Sequence, residues 1–193
     1  MKNFFYFLMT MPLMMAFMSC SDKSGGTEET PEGQDPITWG EITGNLNAVW
    51  DFGTQQSYAT SNNVLAQTLL PTLIDMLNAT PEAEAYLFND DKTYSQFWSS
   101  NQPNDPETGL YKENGTYVLN GRDLTLTYTD GQTGETKTGA YKIVSLSDTQ
   151  LVLYKDIMGI WGTLGAIIEQ FDKYGITPQS AYKIITYTKA AAE

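Results

Sequence analysis

The sequence predicts a mainly β fold, a closed antiparallel barrel of about eight strands with two helical insertions. Three observations carry this expectation. Between Gly115 and Lys155 apolar and polar residues alternate with a period of two, the pattern of half-buried strands. Turn dipeptides interrupt that alternation at short intervals, as hairpins require. The remaining alternating runs bring the strand count to about eight, enough to close a sheet and remove its edges.

In chain order, AVWDFG (48–53) reads as an opening strand with Trp50 and Phe52 on one face. SNNVLAQTLLPTLIDMLNAT then places Val64, Leu65, Leu69, Leu73, Ile74 and Leu77 at helical spacing behind a Ser61 cap, with Pro71 expected to kink or split the helix. AYLFNDDKTYSQFW (85–98) reads as a hairpin turning through Asn89-Asp90-Asp91. A four-strand meander follows. Its strands are marked by Tyr117 and Leu119, by Leu124, Leu126 and Tyr128, by Tyr141 and Ile143, and by Leu151 and Leu153. Its turns are Asn120-Gly121, Asp130-Gly131 with Gly134, and Ser147-Asp148.

DIMGIWGTLGAIIEQFDKYG (156–175) carries a wide apolar stripe that includes Ile157, Ile160, Trp161, Leu164 and Phe171, with Asp156 as N-cap and Gly175 as stop. Gly159, Gly162 and Gly165 cost such a helix about 1 kcal/mol each against alanine. The segment reads either as a fixed cover packed on the sheet or as a lid over a barrel mouth. AYKIITYTK (181–189) supplies the closing strand.

The N-terminus points to a compartment. FFYFLMTMPLMMAFM (4–18) is an uncharged run of 15 residues behind Lys2. That is too short to span a bilayer comfortably, and it has the layout of a secretory signal over residues 1–19. The run ends at Met18-Ser19-Cys20, and Cys20 is the one cysteine in the chain. Residues 20–37 (CSDKSGGTEETPEGQDPI) are almost free of apolar side chains, so they read as a flexible acidic tether before a single domain over 38–193.

Composition excludes several function classes. Removal of residues 1–19 takes away Lys2 and no acid, so the 11 basic and 23 acidic residues become 10 and 23, a net charge near −13. Nucleic acids and anionic headgroups need clustered Lys and Arg, and this chain scatters them singly with Arg122 as its one arginine. There is no histidine. With Cys20 set at the end of the signal-like run, outside the domain over 38–193, that domain has no thiol, so no His- or Cys-based metal site or nucleophile is available to it, and no cofactor or metal is expected. The carboxylate pairs Asp90-Asp91, Asp105 with Glu107, and Asp130 with Glu135 sit in turns, where Asp is favoured for local hydrogen bonding alone.

The lipobox-like Met18-Ser19-Cys20, the acidic tether, the FNDDKTY hairpin and the pairing of GTYVLNGRDLTLTY with YKIVSLSDTQLVLY together resemble the lipocalin-like (calycin-like) surface lipoproteins of gut-type Gram-negative bacteria. The resemblance implies a lipocalin-like β-barrel held on the outer membrane by acyl chains on Cys20. Ser21 in place of the Asp that resembles an inner-membrane retention signal implies the outer membrane, and the acidic residues that follow, Asp22, Glu28, Glu29, Glu32 and Asp35, resemble a surface export tag and imply the cell surface rather than the periplasmic face. Two or more acyl chains are what stable anchoring takes. Trp50 lacks the preceding glycine of the lipocalin Gly-X-Trp signature, and Arg122 sits at a hairpin.

The expected function is non-enzymatic binding of a small hydrophobic or glycan-like ligand. Trp50, Tyr94, Trp98, Tyr117, Tyr128, Tyr141 and Trp161 are the candidate lining residues, because rigid amphipathic rings can line an apolar pocket or stack on a sugar face. The alternative use of the same rings is to fill a small barrel. A second function class is a protein-interaction or structural lipoprotein that uses its acidic surface and loops such as SSNQPNDPETG (99–109). A hydrolase built on Asp90 and Asp91 is a third.

Overall fold

The structure is a computed structural model, and it describes residues 37–77, 82–131, 133–159, 173 and 175–191. Eight antiparallel strands form a closed barrel: β1 (Val49–Ser61), β2 (Ala85–Phe88), β3 (Thr93–Trp98), β4 (Tyr111–Asn120), β5 (Asp123–Thr129), β6 (Thr136–Leu146), β7 (Gln150–Asp156) and β8 (Pro178–Lys189). Each strand pairs with its sequence neighbours, and β1 closes the sheet on β8 from Trp50↔Lys189 to Ser61↔Pro178. One helix, α1 (Val64–Leu77), joins β1 to the β2 region. The second expected helix falls mostly on residues outside those described, and Trp161 is among them.

The turns follow their sequence chemistry. In the β2–β3 hairpin the Asn89 amide donates to the Thr93 carbonyl at 3.0 Å, and Asp91 Oδ1 accepts from the Thr93 amide at 3.0 Å and its hydroxyl at 2.6 Å. The β4–β5 loop is Gly121-Arg122, since Asn120 pairs with Asp123. Gly121 has φ +62°, the positive value that the first central position of a type II′ turn needs and that glycine adopts without steric cost.

β1 is longer than AVWDFG suggests, because TQQSYATS continues it to Ser61. A register shift between Phe52 and Thr54 resets the alternation, after which Ser57, Ala59 and Ser61 are buried. Those small residues leave room for α1, whose Ala66, Leu70 and Ile74 pack with Ala59, Ala181 and Ile157 in a second apolar cluster. The helix cap is Asn63 rather than Ser61: Asn63 Oδ1 accepts the Ala66 amide at 3.1 Å, while Ser61 Oγ accepts the Asn63 amide at 2.9 Å two residues earlier. Pro71 does not split α1, which runs unbroken through it.

The opposite end is shut by residues 37–46, which the sequence places in the domain without assigning them a role. Gly40, Thr43 and Gly44 donate to the Val144 and Leu146 carbonyls at 2.8–3.1 Å, and Leu146 donates back to Glu41. Arg122 fastens the closure. Its guanidinium donates to the carbonyls of Ile143 (2.9 Å), Val144 (2.7 Å) and Gly40 (2.6 Å) and lies over the Trp39 ring at 5.5 Å. Trp39, not Trp50, is therefore the ring that meets the arginine. Trp50 instead points inward, fully buried, with its indole N–H on the Leu46 carbonyl at 2.7 Å.

Candidate functional site

Strand registers decide which side chains share the barrel interior, because residues directly opposite on antiparallel strands face the same side. Trp50 faces Tyr86, Phe88 faces Tyr94, Tyr117 faces Leu126, Leu124 faces Tyr141, and Leu151 and Leu153 face Tyr187 and Ile185. Continuing each strand at a period of two puts Gln96 and Trp98 (β3), Tyr111 and Glu113 (β4), Tyr128 (β5), Lys155 (β7) and Lys183 (β8) on the same inner face.

The interior has two unlike halves. Toward Arg122 it is packed solid: Trp50, Tyr86, Phe88, Tyr94, Tyr117, Leu124, Ile143, Leu151 and Tyr187 are all buried. Their rings interlock at ordinary aromatic spacings, Tyr86 to Tyr187 at 5.2 Å and Phe88 to Tyr117 at 5.2 Å edge to face, and Phe88 to Tyr94 at 5.9 Å. The Tyr117 hydroxyl lies 2.9 Å from Asn47 Oδ1 and 3.0 Å from the Asn89 carbonyl, and Tyr187 donates to Ala83 at 3.2 Å. Gly115, also on the inner face, allows this density: a Cβ there would fall 2.7 Å from the Tyr94 ring and 2.2 Å from the Thr127 carbonyl oxygen.

Toward the α1 end the inner face is more polar and less deeply buried, with Trp98, Tyr128 and Tyr141 packed on the edge of the same core. Trp98, Tyr111, Tyr128 and Tyr141 are half-buried there, with the Trp98 and Tyr111 ring centroids 6.4 Å apart. Across from this wall lies a cluster of charges. The buried Glu82 carboxylate accepts from Lys155 Nζ at 2.9 and 3.1 Å, and Lys183 Nζ stands 3.8 Å from it. Lys155 also lies 5.4 Å from the centre of the Tyr141 ring. Gln96 and Glu113 pair at 3.2 Å, and Glu113 takes the Gly131 amide at 3.1 Å. Two buried polar atoms make no hydrogen bond among the described residues, Lys183 Nζ and the Tyr94 hydroxyl.

Burial sets the protonation behaviour. It pulls the Lys183 ammonium below the ordinary lysine value, an effect that Glu82 offsets only in part and that the like charge of Lys155 reinforces. Burial acts in the same direction on Lys155, but Tyr141 and Glu82 outweigh it and hold that lysine above its ordinary value. Burial also pushes Tyr86, Tyr187 and Tyr94 well above the ordinary phenol range.

Six of the seven rings proposed from the sequence fall within the described residues, and all six face the interior. Trp50, Tyr94 and Tyr117 are fully buried in the packed half, and Trp98, Tyr128 and Tyr141 are partly buried against it toward the α1 end. Trp161 lies outside the described residues, and so does Cys20. The acidic pairs hold turns: Asp105 accepts from Thr108 at 2.6 Å, Asp130 from the Thr133 amide at 2.9 Å, and Asp90 bonds Asn47. The charged group of Glu82, Lys155 and Lys183 was missed by sequence reasoning, although the alternation carried a signal for two of its members. Lys155 continues the Leu151-Leu153 phase, and Lys183 sits between Ala181 and Ile185 on the buried phase of β8.

The family comparison agrees with this architecture. The model of the lipocalin-like domain family matches residues 25–153. No curated protein matches the sequence. Among solved structures, the chain is similar to bovine odorant binding protein in complex with a selenium-containing odorant, at 17% identity and a TM-score of 0.38, covering 86% of this chain and 79% of that one. A closed eight-strand antiparallel barrel and a family match over two thirds of its length place this chain in the lipocalin-like domain family.

Proposed function

We propose that this protein is a membrane-anchored binding module that captures a small hydrophobic molecule in the α1 end of its barrel. One observation carries the reading: on the inner wall Trp98, Tyr111, Tyr128 and Tyr141 stay half-buried, while the other inward-facing aromatics among the described residues are buried. Half-exposed rings on a concave inner face retain apolar area that a ligand would remove from water, at about 25 cal/mol per Å². Family membership supports the same class of function.

In this reading Cys20 carries the acyl chains, residues 20–37 form the tether, and the barrel is displayed at the cell surface of the outer membrane. The support is the apolar run ending at Met18-Ser19-Cys20 and the acidic stretch after it. Native mass spectrometry of protein purified from its own membrane, followed by solvent extraction, tests the binding function. A co-purifying small apolar molecule is expected. A bare mass together with no binding of added alkyl probes would contradict it. The mass of the mature N-terminus tests the anchor: a diacylated Cys20 is expected, and an intact Met1 or a free Cys20 thiol would refute it.

A further inference from the structure

The interior charges carry one step more, resting on the ligand-binding reading above. We infer that Lys183 is an anchoring group for the anionic head of an amphiphile, so that the preferred ligand class is a small apolar molecule ending in a carboxylate.

The inference starts from the state of Lys183 without a ligand. Its side chain is 0% exposed, and no acceptor among the described residues lies within hydrogen-bond distance of its ammonium, the nearest carboxylate being Glu82 at ion-pair range. Glu82, the nearest counter-charge at 3.8 Å, is already held through both oxygens by Lys155. The other groups facing Lys183 are Ser57, directly opposite on β1, and Asp75 of α1, an exposed carboxylate hydrogen-bonded to Ser57. Asp75 therefore spends its bond on Ser57 and its charge largely in water. A buried ammonium with unmet donors is among the more costly arrangements a protein interior can hold, and replacing it by an apolar side chain would ordinarily help the fold. Its place on the inner face is thus accounted for by an acceptor that arrives with the ligand.

A carboxylate suits the site better than a neutral acceptor. Two lysines share one buried glutamate, so a second anion at Lys183 balances the inner charges of that group. The geometry divides accordingly. The two lysines lie on the β7–β8 side of the mouth, and the half-buried rings of Trp98, Tyr111 and Tyr128 lie on the β3–β5 side, where the one inner carboxylate, Glu113, is held by Gln96 and the Gly131 amide. A molecule spanning the mouth meets cations at one end and apolar rings at the other. The depressed proton affinity of Lys183 agrees with this, since a bound carboxylate restores the charged form that burial opposes.

The test compares decanoate with decan-1-ol, two probes of equal chain length and different heads, by isothermal titration at pH 7 on the chain from Ser21 to Glu193, which retains every described element. At least tenfold tighter binding of decanoate is expected. Lys183→Met should erase that preference, and Lys183→Arg should retain it. A second measurement is independent of any variant: the Lys183 ε-carbon NMR resonance should shift with decanoate and stay in place with decan-1-ol. Equal affinity of the two probes, or a preference that survives in Lys183→Met, overturns the anchoring role while leaving the apolar-ligand reading intact. Binding of neither probe up to the solubility limit of the alcohol overturns both.

Discussion

Replacing Glu82 with glutamine removes one charge from the inner face and leaves two lysines to share the consequence. Glu82 accepts two hydrogen bonds from Lys155 at 2.9 and 3.1 Å and stands 3.8 Å from Lys183. At an effective dielectric of about 20, a unit-charge pair 3.8 Å apart attracts by roughly 4 kcal/mol. The Lys155 side chain is 30% exposed, so water recovers much of its loss, whereas Lys183 at 0% exposure has no such recourse. Breaking a buried pair from one side costs about 3–5 kcal/mol, and release of the Lys183 proton caps that cost. An expected destabilisation of about 2–4 kcal/mol follows. It is a large share of the stability of a domain of this size, typically about 5–15 kcal/mol.

The pH dependence of that loss identifies its cause. In Glu82→Gln the folded-state proton affinity of Lys183 falls further below its unfolded value. Between the folded and unfolded pKa values the unfolded chain binds more protons, so stability rises with pH across that window. The deficit should therefore shrink between pH 7 and pH 10. Urea unfolding followed by tryptophan fluorescence at both pH values measures it. A deficit below about 0.5 kcal/mol, or one that is equal at the two pH values, would refute the claim that Lys183 is a buried cation dependent on Glu82.

Three further outcomes follow from the same geometry. Arg122→Ala should cost about 2–3 kcal/mol, since three carbonyls lose a charged donor, and it should speed hydrogen exchange at the Gly40, Thr43 and Gly44 amides before those of β8. Trp50→Ala should destabilise by about 3–5 kcal/mol with little change in ligand affinity for the folded fraction, whereas Trp98→Ala should weaken ligand binding about tenfold and cost the fold little; calorimetric binding and urea unfolding on both variants separate the two halves of the barrel. Tyr86 and Tyr187 keep their protons above the ordinary phenol pKa because they are buried, so the stability they contribute is present below about pH 10 and is lost as pH rises beyond it. Absorbance at 295 nm should accordingly show these phenols ionising only together with unfolding.

Period-two alternation made the strands legible, because a barrel wall turns every second residue inward. It failed at residues 54–61, where the buried positions are Ser57, Ala59 and Ser61: small residues there make room for α1, and smallness carries no hydrophobic signal. The Ser61 cap went to Asn63 for a local reason, since β1 continues through Ser61 before the helix starts. Trp39 and Arg122 could not be matched from the sequence, being 83 positions apart and joined only once residues 37–46 fold back across the barrel base. The charged interior was hidden for a different reason. A lysine on a strand is ordinarily assigned to the solvent face, yet Lys155 and Lys183 pair with each other in register on the buried phase. The alternation placed them correctly, and residue type argued against it.

The division of the interior into a packed half and a ligand-accepting half is tested most directly by NMR titration of the chain from Ser21 to Glu193 with decan-1-ol, a probe that makes no demand on Lys183. The account predicts side-chain shift changes concentrated at Trp98, Tyr111, Tyr128 and Tyr141, with Trp50, Tyr117 and Leu151 unmoved. Changes centred on the Trp50 end, changes confined to the outer face, or none at all would contradict it.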